Sequence, residues 1–202
     1  MSARRFLALG DSYTIGEAVA ESGRWPLQLV ARLNAHGRAF DPPEIIATTG
    51  WTTDELAAAM DGKYPVGTRA DFDLVSLLIG VNNQYRGRAL DEYREQFVAL
   101  LERALALAGD DPQRVIVLAI PDWGVTPFGA KSGRDTAQIA RELDAFNAAA
   151  AEIAQARNVR FVDTSAVSRE RGSAWVAEDG LHPSGALYAA WAEAAEIGLL
   201  GP

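Results

Sequence analysis

No cysteine occurs in the 202 residues, which removes thiolate nucleophiles, disulfides, zinc ribbons and iron–sulfur clusters in one step and fits a reducing compartment. Histidine is almost as scarce. His36 and His182 are the only two, so imidazole chemistry is confined to two positions and a multi-histidine metal site cannot be assembled. No apolar run reaches 18 residues, and the stretch near the start, Phe6 to Leu9, is too short for a secretory h-region. These absences read as a cytoplasmic chain without a stable membrane anchor. Positive charge is in the minority as well: 19 Lys and Arg against 27 Asp and Glu leave a net charge of −8, a poor match for nucleic acid or anionic membranes.

What is present is ordinary. Hydrophobic residues make up 49% of the chain and charged ones 23%, the composition of a globular protein able to bury a core, and the length predicts one domain over residues 1–202. Short unbroken apolar runs recur at Phe6 to Leu9, Ile45 to Ala47, Leu74 to Ile79, Val115 to Ile120 and Val159 to Val162. Without in/out alternation, they read as strands covered on both faces. Longer segments with helical spacing separate them. Trp25 to His36 has Pro26 in the first turn and Gly37 past the end. Tyr93, Phe97, Leu100, Leu101, Ala104 and Leu105 form one apolar stripe, and Ile139, Leu143, Phe146 and Ile153 form another. A last helix runs from about Ser184 to Ile197. Five alternations of strand and helix predict an α/β protein, a doubly wound parallel sheet of five strands with helices on both faces. Two less regular stretches, Pro121 to Gly133 and Asp163 to Pro183, read as functional loops.

In such a sheet the ligand crevice lies beyond the carboxyl ends of the strands. Gly10-Asp11-Ser12 follows the first run, Thr48-Thr49-Gly50-Trp51 the second and Gly80-Val81-Asn82-Asn83 the third, while Asp179-Gly180-Leu181-His182-Pro183 precedes the last helix. Gly-Asp-Ser alone is also a common turn. Four short motifs in order, one of them holding one of the two histidines, are much harder to obtain by chance.

Together these segments, spanning residues 10 to 183, resemble the SGNH or GDSL-type hydrolases, and most closely the single-domain bacterial lysophospholipase or thioesterase-I-like esterases. The resemblance implies a flavodoxin-like three-layer α/β/α fold and cofactor-free hydrolysis of carboxylic esters. Ser12 matches the nucleophile, Gly50 and Asn82 the second and third blocks, and Asp179 with His182 the DxxH pair. In the third block Asn83 stands where the family usually has Asp, which bears on the support of that loop rather than on the donor.

The residue chemistry agrees with the resemblance. A serine hydroxyl needs a base, which His182 supplies, and Asp179 three residues earlier can hold its Nδ1 proton. The N–H groups of Ser12 and Gly50 and the Asn82 amide are the donors for an oxyanion. Asp11 braces the nucleophile turn or caps the helix after it. His36, in the last turn of its helix, receives no function. Trp51, Tyr85 and Trp123 are candidates for substrate binding, with core packing as the alternative; Tyr13, Phe128 and Trp175 are further aromatics in the same segments. No metal site is assigned, because ligation by Asp122, Asp179 and His182 would divert the triad and leave Ser12 unexplained.

Small acyl esters are the expected substrates, with lysophospholipids, thioesters and acetylated sugars as alternatives. Two other readings remain at this point. One is a ligand-binding module on the same scaffold. The other is a nucleotide site in Gly124 to Ser132, which resembles a phosphate loop except that Ala130 separates Gly129 from Lys131.

Overall fold

The computed structural model describes residues 3–201. Strands β1 (Phe6–Gly10), β2 (Glu44–Ala47), β3 (Leu74–Leu78), β4 (Val115–Leu118) and β5 (Arg160–Val162) form a parallel sheet in the order β2-β1-β3-β4-β5. Leu7 aligns with Glu44 on one side and with Val75 on the other, and Val75 in turn aligns with Val115. Each strand lies within two residues of the apolar run that predicts it, and all but β4 within one. Ile79, Ala119 and Ile120 are buried but fall past the last strand position, so burial outlasts pairing there. β1, β3 and β4 are buried throughout, as runs covered on both faces must be. The edge strands β2 and β5 are only partly buried, because no strand continues the sheet past them.

The helices are α1 (Ser12–Ile15), α2 (Trp25–Ala35), α3 (Thr53–Asp61), α4 (Val81–Tyr85), α5 (Leu90–Leu107), α6 (Pro127–Lys131), α7 (Thr136–Gln155), α8 (Thr164–Arg171) and α9 (Gly185–Leu200). α2 and α8 pack on α9, while α3 and α7 pack on α5, which gives a helical layer on each face of the sheet. The stripe of α5 is buried at Tyr93, Phe97, Leu100, Leu101 and Ala104, whereas Leu105 stays partly exposed and Leu107 is buried in its place. All four stripe residues of α7 are buried. His36 caps the end of α2, and its Nε2 lies 3.1 Å from Glu196 Oε1 on α9, so it helps hold those two helices together.

The two stretches read as irregular contain short helices. Pro121 to Gly133 holds a 3₁₀ turn at Trp123–Val125 followed by α6, and Asp163 to Pro183 holds α8 and a 3₁₀ turn at Gly172–Trp175. Both α6 and α8 are stabilised by side-chain caps, from Thr126 to the Gly129 N–H and from Asp163 to the Ala166 N–H, rather than by an apolar stripe. The chain leaves β1 toward β2, then passes β1 again to add β3, β4 and β5. The carboxyl ends of β1 and β3 are therefore the switch point at which open α/β sheets bind ligands.

Candidate active site

Ser12 begins α1 directly after β1 and is 5% exposed. Asp11 caps this one-turn helix, its Oδ1 accepting the Tyr13 N–H at 3.0 Å. Gly10 allows the turn to lie close against β3: a Cβ there would sit 2.2 Å from Thr14 Oγ1 and 2.4 Å from Leu78 O, contacts that no side chain tolerates. Asp11 Oδ2 is buried without a protein partner among the described residues. Burial pushes the Asp11 carboxyl up to about 7, against the opposing effect of the main-chain hydrogen bonds it accepts.

After β2 the chain turns through Thr48 to Trp51, closed by the Trp51 N–H donating to the Thr48 carbonyl at 3.3 Å. Gly50 takes the third position at φ 87°, which a type II turn requires there and which a side chain resists. A Cβ on Gly50 would meet nothing closer than Arg86 Nη2 at 3.9 Å, so the position demands glycine for its backbone rather than for want of space. The next residues open α3 with a capping box, Glu55 accepting the Thr52 N–H at 2.9 Å.

After β3, α4 carries Asn82 and Asn83 side by side. Asn82 Nδ2 donates to the Trp51 carbonyl at 2.8 Å, which uses one of its two amide hydrogens. Asn83 is fully buried; its Oδ1 accepts the Thr53 N–H at 3.1 Å and its Nδ2 donates to Thr53 Oγ1 at 2.7 Å. An amide makes both bonds at once and leaves the Thr53 hydroxyl proton for Gln96 Oε1, whereas an ionised carboxylate could hold the Thr53 hydroxyl only by taking that proton. The departure from Asp at this position thus leaves the loop well supported.

The fourth segment brings the far end of the sequence to the same rim. Asp179 Oδ1 accepts the N–H groups of Leu181 at 2.9 Å and His182 at 3.0 Å, and Oδ2 lies 2.6 Å from His182 Nδ1. Partial burial works against ionisation of Asp179, but these hydrogen bonds, led by that from the ring, outweigh it and hold the carboxyl below the usual carboxylate range. The segment is anchored on both sides: Phe128 donates from its N–H to the Gly180 carbonyl at 2.9 Å, and Ser184 to the Trp175 carbonyl at 2.9 Å. The His182 ring packs edge-on against Tyr13 with centroids 5.5 Å apart.

Ser12, Gly50, Asn82 and His182 line one cavity of about 220 Å³. The hydrogen bond found for the His182 ring among the described residues is the one between Nδ1 and Asp179, and no hydrogen bond is found at its second nitrogen. Tyr85, Trp123 and Phe128 wall the same cavity as an aromatic cluster, with Trp123 5.4 Å from Tyr85 and 5.9 Å from Phe128 between ring centroids. Trp123 is buried and its Nε1 donates to Gln84 Oε1 at 2.9 Å; no sequence pattern marks Gln84 for that role. Trp51 is placed elsewhere. It is partly buried against the core and is not among the cavity residues, and what it offers the site is its carbonyl. Trp175 lies outside the cavity under Arg171.

Gly124 to Ser132 does not form a phosphate cradle. The N–H of Gly124 goes to Asp122 Oδ1, that of Phe128 to the Gly180 carbonyl and that of Gly129 to Thr126 Oγ1, so the donors a phosphate would need are already used. Among the described residues no three His, Asp or Glu side chains are grouped to hold a metal, and no helix is long and apolar enough to cross a membrane.

Solved structures with the same fold include the acetylxylan esterase Axe2 from Geobacillus stearothermophilus, at 23% identity and TM-score 0.74 over 100% of this chain and 96% of that one. A lipase from a goat rumen metagenome is 18% identical with TM-score 0.78, covering 97% of each chain. The lipase/acylhydrolase from Enterococcus faecalis is 21% identical with TM-score 0.70, over 96% of this chain and 95% of that one. No curated protein sequence matches at a significant level. Residues 8–190 match the GDSL-like lipase/acylhydrolase family, a span that includes all four segments around the cavity; the chain belongs to that family and is a carboxylic ester hydrolase.

Proposed function

We propose that residues 1–202 form one catalytic domain that hydrolyses small acyl esters through an acyl-enzyme on Ser12. Ser12 Oγ attacks the ester carbonyl carbon while His182 Nε2 takes its proton, and Asp179 stabilises the resulting imidazolium through Nδ1. The carbonyl oxygen gains negative charge and meets the N–H groups of Ser12 and Gly50 and the second amide hydrogen of Asn82. Collapse of the tetrahedral adduct breaks the bond to the leaving oxygen, which departs as the alcohol with the proton held by His182. Water then attacks the acyl-enzyme, giving its proton to His182, and a second collapse releases the carboxylic acid and restores Ser12.

The observation that carries this reading is the Asp179–His182 pair at 2.6 Å bordering a cavity also lined by Ser12, Gly50 and Asn82. Its volume of about 220 Å³ lies below the roughly 300 to 1,000 Å³ of pockets that take drug-sized ligands, which favours a short acyl group over a long chain. Acetylated sugars are the second reading, favoured by the exposure of Tyr85 at 49% and Phe128 at 36%, since a half-exposed ring offers a face on which a sugar stacks. The test is a panel of ester, thioester and acetylated-sugar substrates with Ser12→Ala in parallel, together with fluorophosphonate labelling and peptide mapping. Turnover of short esters that vanishes in the variant, with the adduct on Ser12, is the expected result; an adduct elsewhere or activity in the variant overturns it.

A further inference from the structure

α4 reaches the Thr48–Trp51 turn with two side chains, of which Asn82 is only the first. Arg86 lies one helical turn later, its N–H donating to the Asn82 carbonyl at 3.0 Å, so the two side chains share a face. Arg86 Nη2 donates to the Gly50 carbonyl at 2.6 Å, and its Nη1 lies 3.2 Å from Glu55 Oε1. Asn82 takes the next carbonyl along, that of Trp51, at 2.8 Å. The last two residues of the turn are therefore clamped by side chains four residues apart, one on α4 and one at its carboxyl-terminal cap.

We infer that Arg86 is a positioning residue for ester hydrolysis, holding Gly50 so that its N–H faces the developing oxyanion. This rests on the reading of Gly50 and Asn82 as oxyanion donors. The physical argument starts from the turn. Its central peptide, between Thr49 and Gly50, carries the Gly50 N–H, and type I and type II turns differ by a flip of that peptide. Glycine permits the type II form but does not impose it, because it populates positive and negative φ about equally. An outside restraint is therefore needed to select the productive form before substrate arrives. Arg86 supplies it by a charge-assisted hydrogen bond to Gly50 itself, the stronger kind of hydrogen bond. Glu55 fixes the guanidinium in turn, and Glu55 is already tied to the Thr52 N–H of the same loop. Thr49, on the other side of the central peptide, is bonded through Oγ1 to Glu17, so the two residues that flank that peptide are each held from outside the turn.

A positioning role in the transition state makes a specific kinetic prediction. Losing an oxyanion donor costs about 100- to 1,000-fold in kcat, and misplacing one that still forms part of the time costs less, roughly tenfold. Arg86→Met keeps an unbranched apolar stem and removes the donors; Arg86→Lys keeps the charge and an ammonium donor for the Gly50 carbonyl. The experiment measures kcat, KM, melting temperature and inhibition by a boronic acid that forms a tetrahedral adduct on the serine, with Asn82→Ala as the reference. In Arg86→Met, kcat falls about tenfold, boronate inhibition weakens by a similar factor and KM stays within about twofold, while Arg86→Lys recovers most of the loss.

The two levels of the argument fail separately. Near-native kcat in Asn82→Ala refutes the oxyanion reading and this inference with it. A large loss in Asn82→Ala beside near-native kcat in Arg86→Met refutes only this inference. So does a loss in Arg86→Met confined to KM, or one that Arg86→Lys does not relieve. An unchanged melting temperature excludes unfolding as the cause of the lower rate.

Discussion

Asp179 divides its two oxygens between two tasks: Oδ1 accepts the main-chain N–H groups of Leu181 and His182, and Oδ2 lies 2.6 Å from His182 Nδ1. One carboxylate both shapes the turn and holds the ring. Asp179→Asn separates the tasks, because an amide oxygen can still accept from the main chain whereas an amide NH₂ facing Nδ1 cannot accept its proton. The fold is expected to survive, and kcat to fall by about 10³- to 10⁴-fold as the ring takes the wrong tautomer. Steady-state kinetics beside a circular-dichroism melt check this, and a loss below about tenfold refutes the role.

The pH dependence of the same pair follows from the direction of the Asp179 shift. Its folded pKa is depressed below the ordinary value of 3.8, so the stabilisation is fully present above that value and is lost only as pH falls through the lower, folded one. Asp179 should therefore stay ionised, with its hold on the turn intact, until the pH falls below 3.8. Titration of the Asp179 carboxyl by NMR checks this; protonation of Asp179 above pH 4 contradicts it.

Asn82→Ala and Gly50→Ala are expected to fail for different reasons. The first deletes a donor and releases the Trp51 carbonyl, and the expected loss is about 10² to 10³ in kcat. The second keeps the N–H but places a side chain at φ 87°, a conformation costing about 1 to 3 kcal/mol in a non-glycine residue. The turn can relieve that strain by flipping its central peptide, so Gly50→Ala should lower kcat while altering the melting temperature only modestly. Equal kcat in Gly50→Ala and the native enzyme would show that this N–H takes no part.

The sheet was legible because β1, β3 and β4 are buried on both faces and their sequences record it as unbroken apolar runs. The site was legible where a motif carries its own geometry: Asp179 and His182 lie three residues apart on one turn, which is enough to let them meet. Trp51 shows where such reading stops. Its neighbour Gly50 lines the cavity and its carbonyl takes the Asn82 amide, but its ring packs toward the core, since the direction of a turn residue depends on turn type rather than on residue type. α3 could have been placed from Thr52 and Glu55, whose spacing is that of a capping box ahead of Leu56 and Met60. α8 had no comparable pattern: between Thr164 and Arg171 its apolar residues are Ala166 and Val167 alone. Arg86 belongs to no motif, and its partner, the Gly50 carbonyl, has no side chain to register in sequence.

Tyr85 and Trp123 both wall the cavity but should respond differently to truncation. Trp123 is 2% exposed, and its indole N–H is bonded to Gln84, so Trp123→Ala should cost about 3 to 5 kcal/mol of stability as a large cavity opens. Tyr85 is 49% exposed and can be shortened at little structural cost. Tyr85→Ala should therefore raise KM, or change preference between acyl and acetyl-sugar esters, while the melting temperature stays nearly constant. Substrate profiles of the two variants with denaturant melts check this; a Tyr85→Ala profile identical to the native one removes Tyr85 from substrate binding.

Asp11, next to Ser12 in sequence and 1% exposed, makes stability depend on pH in the direction opposite to Asp179. Burial raises its carboxyl from 3.8 to about 7. Between those values the folded protein holds a proton that the unfolded chain has released, so this contribution to stability is fully present below 3.8 and declines as pH rises toward 7. Above that range the folded state carries a buried carboxylate whose Oδ2 has no protein partner among the described residues, a penalty on the order of a few kcal/mol. Asp11→Asn removes the titration and keeps the cap, since its amide oxygen can accept the Tyr13 N–H that Oδ1 now takes at 3.0 Å. The variant should melt roughly 5 °C above the native protein at pH 8, with the gap narrowing toward pH 5 and closing only below 3.8, where the unfolded carboxyl is neutral as well. Calorimetry across that interval checks the slope. A gap that stays constant, or that widens toward acid pH, would mean that Asp11 does not take up a proton on folding.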